Sequence, residues 1–168
     1  MRNWLKTILF VSAFSPTLLV LAGVRYYSGI VDALLYQLIV ISLIGITLPF
    51  LILSWVKGQT ESLNFTAKKV ESADYYLLVF LGSYASPIIM KIAEIDFGLM
   101  LLTVGVIFLV AWVVSNIPSH PVLYLAKFKF YKIESESGMV YTLITRREIR
   151  SPKNITVVKQ ISNSMLME

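Results

Sequence analysis

Four long apolar segments, Ile8 to Val24, Ala33 to Val56, Tyr75 to Met90 and Phe97 to Ile117, fill most of the first 117 residues and constrain the fold more than any other feature. About 20 apolar residues rising 1.5 Å each cover a hydrocarbon layer roughly 30 Å thick. A soluble helical bundle would need a polar stripe on each surface helix, yet Leu101 to Val114 (LLTVGVIFLVAWVV) offers one Thr and one Gly. Composition agrees, with 57% hydrophobic and 15% charged residues against about 25% charged in an ordinary soluble domain. The expectation is an all-α membrane bundle of four transmembrane helices over residues 1–117, followed by a small C-terminal cytosolic β-meander over residues 118–168.

Charge sets the orientation. Of the 15 Lys and Arg residues, only Arg25 and Lys91 fall on one side of these segments, while Arg2, Lys6, Lys57, Lys68, Lys69 and every basic residue after Ile117 fall on the other. The positive-inside rule then places both termini of this multi-pass membrane protein in the cytoplasm. The N-terminal run has a signal-peptide look, but Ser15-Pro16 interrupts it and Arg25-Tyr26-Tyr27 suits an interfacial anchor, so a retained first span is expected. Cysteine is absent, which excludes disulfides and thiolate chemistry.

Between the second and third segments, Lys57 to Asp74 (KGQTESLNFTAKKVESAD) reads either as a solvated loop or as an amphipathic surface helix with Leu63, Ala67 and Val70 on one face. Ala13-Phe14-Ser15-Pro16 and Tyr84-Ala85-Ser86-Pro87 echo one another, and each Pro predicts a kink in its helix. After His120-Pro121 the chain turns to alternating β-formers at Lys127 to Glu134, Met139 to Arg146 and Ile155 to Ile161, separated by turn residues. A tail of this size has too little core to stand alone and needs a surface to lean on.

Catalytic, metal and cofactor residues are not expected. The single histidine, His120, sits beside Pro121 where a structural hinge explains it, and no phosphate loop, HExxH or nucleophile elbow occurs. Ser15, Gln37, Ser86 and Thr103 are among the polar residues within the apolar segments, the type that packs helices together. Gly82, Ser83 and Ser86 are the candidate oligomer-packing residues. Lys91, Glu94 and Asp96 form a compact outer charge cluster with a candidate sensing role. Arg146, Arg147 and Arg150, with Lys153, form a basic turn suited to an acidic partner, and Met165, Leu166 and Met167 form a candidate apolar docking edge. Tyr131 and Tyr141 are too few for a base-stacking platform, so direct nucleic-acid binding is not expected.

The whole chain resembles KwaA, the membrane-subunit family of the bacterial Kiwa anti-phage defence system. The resemblance rests on the Met1-Arg2-Asn3-Trp4-Leu5 start, the four apolar segments, the short tail with MVYTLITRREIRS, and the ending SMLME. It implies a non-enzymatic inner-membrane sensor, assembled as a homo-tetramer, that recruits a soluble DNA-binding effector, KwaB, to the bilayer. A small oligomeric ion channel triggered by membrane perturbation is the alternative reading.

Overall fold

The computed structural model describes residues 3–59, 61–74, 77–114 and 120–168. In chain order the elements are helices α1 (Asn3–Ser12), α2 (Ser15–Tyr27) and α3 (Ala33–Gln59), strands β1 (Ser62–Asn64) and β2 (Ala67–Ser72), helices α4 (Leu77–Ile92), α5 (Phe97–Val114) and α6 (Pro121–Leu125), then strands β3 (Lys129–Ser135), β4 (Val140–Thr145), β5 (Val157–Ser162) and β6 (Met165–Met167). They divide into two units. One, the sheet unit, comprises residues 1–9, 49–77 and 118–168; the other, the helical unit, comprises residues 10–48 and 78–117.

The sheet unit departs from the expected meander. Its strands form one six-stranded mixed sheet in the order β1-β5-β6-β4-β3-β2, with β4 and β6 parallel. Three strands lie where the alternating tail predicts them. Two more come from the segment between the second and third apolar runs, which is neither a surface helix nor a plain loop.

That segment also closes the sheet. β1 and β2 sit at opposite edges, yet only Phe65 and Thr66 separate Asn64 from Ala67. Three Cα steps span at most about 11 Å, whereas the edges of a flat six-stranded sheet lie about 24 Å apart. The sheet must therefore curl into a barrel-like form. The Phe65 N–H donates to the Thr156 carbonyl at 3.0 Å, and its ring meets Tyr141 edge-on at 5.7 Å. Inside lie Ala67, Tyr131, Ile133, Leu143, Ile149, Ile155, Val158 and Leu166. Tyr131 places its hydroxyl oxygen 3.1 Å from the Ile149 N–H, satisfying a backbone donor in this core.

By strand alternation Phe130, Ile144 and Met167 point to the other face of the sheet, and they stand side by side in register. All three are buried. Within the same unit Phe50 and Leu53, from the end of α3, share a cavity wall with Met167.

The helical unit holds α2, the first part of α3, α4 and α5. One core gathers Leu21, Val24, Leu35, Leu38, Met100 and Val104, and a second is aromatic, with Phe14 edge-on to Phe80 and Phe108 at 5.2 Å each. Thr17 and Ser83 meet at 3.3 Å, and the Tyr84 hydroxyl donates to the Ala13 carbonyl. At the α2–α3 turn Arg25 grips Asp32 through two hydrogen bonds of 2.9 and 2.5 Å, while Asp32 accepts the Leu35 N–H and so caps α3. This pairing holds the Asp32 carboxyl down to about 2, well below its usual value.

The four-span all-α reading does not survive. Among the described residues two segments are long and apolar enough to cross a membrane, Thr7–Tyr27 and Ala33–Gly58. The described part of α4 has 16 residues, about 24 Å of rise, and the apolar stretch of α5, Phe97–Val113, falls short of the same length. Tyr75, Tyr76 and residues 115–119, the ends of the third and fourth expected spans, lie outside the described residues. The two Ser-Pro echoes also differ. At Pro16 the helix is broken, with α1 ending at Ser12 and Pro16 in the first turn of α2, whereas Pro87 lies within an unbroken α4.

Candidate functional site

The connection from β4 to β5 carries the basic turn, and the fold gives its three arginines three different tasks. Arg146 leaves the end of β4 and lays its guanidinium over the Phe128 ring, 4.5 Å from the centroid. Arg147 turns toward Glu168, donating from Nε at 2.8 Å and pairing again through Nη2, which also reaches the Asn154 carbonyl at 2.5 Å. Thr145 donates to the same carboxylate at 3.0 Å. Arg147 thus fastens the loop to the C-terminal residue. Arg150 is 84% exposed, with a loose contact to Glu148 at 3.4 Å. Glu148 also faces Lys129 at 3.6 Å, and these cations hold its carboxyl below the usual value, Lys129 contributing most.

Beside this turn the sheet unit has a cavity of about 630 Å³. The last turns of α3 supply Phe50, Leu53 and Lys57 to one wall. β5 supplies Val157 and Lys159, and Phe128, Arg146, Met167 and Glu168 complete much of the remainder. Lys159 faces out of the barrel because Val158 next to it faces in. Its ammonium donates to the Lys57 carbonyl at 2.6 Å, placing a cation where the carbonyls at the end of α3 concentrate negative charge.

Lys57, Lys159 and Phe128 were not singled out by the sequence. Strand alternation in VVKQI does assign Lys159 to the outer face, but nothing in one sequence brings residue 57 beside residue 159. Met165, Leu166 and Met167 form β6, between β5 and β4, and all three side chains are buried. The apolar edge expected there is an interior strand.

In the helical unit Ser83 is buried, touching Thr17 and donating to the Phe80 carbonyl at 2.7 Å. Ser86 donates to the Ser83 carbonyl, and Gly82 is exposed, with open space where a Cβ would stand. Lys91, Glu94 and Asp96 share the α4–α5 turn without an ion pair among the described residues. Glu94 adopts a left-handed conformation with φ of 56°, and Asp96 accepts the Gly98 N–H at 2.7 Å as the cap of α5. No group of three metal-ligating side chains occurs among the described residues.

A sheet unit with a basic loop and a charged cavity, in a chain that also has two apolar helices of membrane-crossing length, describes a candidate membrane-associated binding protein. The chain belongs to the anti-phage protein KwaA family, which it matches over residues 5–167. It is therefore a defence-family protein, and that family is not a known enzyme family. Comparison with curated proteins and with solved structures gives no match.

Proposed function

We propose that this chain anchors an anti-phage defence complex at the bacterial inner membrane, sensing infection there and holding a soluble DNA-binding effector through its cytoplasmic sheet unit. The observation that carries the reading is the exposed cationic loop around Arg150, carried on a sheet whose two edge strands, β1 and β2, are tied together by a two-residue link. Family membership supports the defence role, and the two apolar helices support the anchor. Both termini face the cytoplasm, since nearly all Lys and Arg lie outside the apolar segments on one side. The chain self-associates, with exposed Gly82 giving a neighbouring copy close approach.

The loop attracts an acidic partner surface electrostatically, so contact depends on salt. Arg150→Glu combined with Lys153→Glu tests this with the loop fastening left intact. Expected is weaker capture of the co-expressed soluble effector in a mild-detergent pull-down, most marked at low salt. Full capture by the double variant at every salt concentration would reject docking through this loop. Ion conductance by the purified protein in liposomes, with no effector bound to it, would favour the channel reading instead.

A further inference from the structure

We infer that the cavity between the end of α3 and strand β5 is a binding site for the headgroup of an anionic phospholipid. It has two chemical sides. Lys57, Arg146 and Lys159 bring three cationic residues to its wall, the Lys159 ammonium also donating to the Lys57 carbonyl, while Phe50, Leu53, Val157 and Met167 supply apolar surface. One carboxylate, Glu168, also lines it, but Arg147 already pairs with that group. Arg146 makes no ion pair among the described residues; its ring contact with Phe128 orients the guanidinium and leaves its donors available.

A volume of about 630 Å³ lies in the range of small-molecule sites and admits a phosphodiester headgroup with the first part of its chains. Soluble phosphate would use the cations and leave the apolar wall wet. A zwitterionic lipid would bring its own cation into a cationic site. The helix that builds one wall decides between a lipid and a free anion. Phe50, Leu53 and Lys57 fall in the last turns of Ala33–Gly58, a segment able to cross a membrane, and Leu51 on the same turns is 67% exposed. Acyl chains therefore run beside the helix whose end carries the cation. Basic pockets at the ends of spanning helices take anionic headgroups for this reason.

The full-length protein, reconstituted in discs of phosphatidylcholine with or without phosphatidylglycerol, tests the site. Expected is a rise in the unfolding temperature as the phosphatidylglycerol fraction increases, with no comparable rise on adding inorganic phosphate. The variant Lys57→Gln, Arg146→Gln, Lys159→Gln should need about tenfold more phosphatidylglycerol for the same shift. A photoactivatable phosphatidylglycerol should label the wild-type chain on peptides carrying residues 50–57 or 157–168, which keeps the test valid if the triple variant folds poorly. An equal response to inorganic phosphate would make this a free-anion site. An equal response to added phosphatidylcholine, an unchanged response in the folded variant, or labelling confined to other peptides would overturn the inference. Effector capture through Arg150 and Lys153 is scored separately, so failure of one idea leaves the other standing.

Discussion

Single residues in the sheet unit carry distinct loads. Tyr131 is buried, and its oxygen satisfies the Ile149 N–H, so Tyr131→Phe strands a buried donor and should cost about 1–3 kcal/mol. Leu143→Ala, at a fully buried core position, should cost about 2–5 kcal/mol. Denaturant unfolding followed by near-ultraviolet circular dichroism in mild detergent reads both, and a negligible loss for Tyr131→Phe would mean another acceptor takes the N–H. His120 offers a pH test. Burial pushes its imidazole down to about 3, so the folded chain keeps it neutral while the unfolded chain protonates near 6.5. Its contribution to stability is complete above that value, falls as pH drops below it, and is fully lost below about 3. His120→Leu should flatten this part of the pH–stability profile; an unchanged slope would assign it to carboxylates. The basic turn was legible as a cluster of charge, but the division of labour among Arg146, Arg147 and Arg150 was not. It depends on Phe128 and Glu168, which adjacent positions in the sequence do not reveal.

At the level of elements, one irregularity explains why β1 and β2 escaped detection. Leu63, Phe65 and Ala67 alternate as a strand should, but the pairing with β3 shifts register between Ala67 and Lys69. This bulge lets Ala67 and Val70, three positions apart, both face the core, and that separation is also the spacing of a helix face. The later strands showed their period because β3 and β4 pair without interruption. Strand β6 joins β5 to β4, so deleting residues 163–168 should split the sheet and expose the barrel core, read as rapid proteolysis of the sheet unit. Survival of a protease-resistant sheet unit would show that β5 and β4 pair directly without it. Among the helices, a Cβ at Gly45 would lie 1.8 Å from the Ser15 hydroxyl oxygen and 2.6 Å from its Cβ. Gly45→Ala should lower the unfolding temperature by an amount equivalent to roughly 1–3 kcal/mol, and Ser15→Gly should restore most of it.

For the whole molecule, the apolar character was legible throughout, while the number of membrane-crossing helices was not. Hydropathy registers apolar residues, but crossing also needs length. The described part of α4 ends with Ile92, four residues before the Asp96 cap of α5. Self-association belongs to this scale. Gly82→Leu has open space within the chain, so it should leave the fold intact while lowering the oligomer mass measured by detergent-corrected light scattering. An unchanged mass would remove Gly82 from the packing face. Closure of the sheet has a consequence for how the protein is made. Ser72 of β2 pairs with Tyr131 of β3, and all of α4 and α5 is synthesised between them. A ribosome delivers β1 and β2 long before their neighbours β5 and β3 exist, so the barrel cannot close until α4, α5 and the strands after them have been made. Closure then marks a finished chain: a product that stops short of β3 keeps β1 and β2 unpaired, and quality-control proteases meet their open edges as an unfinished fold.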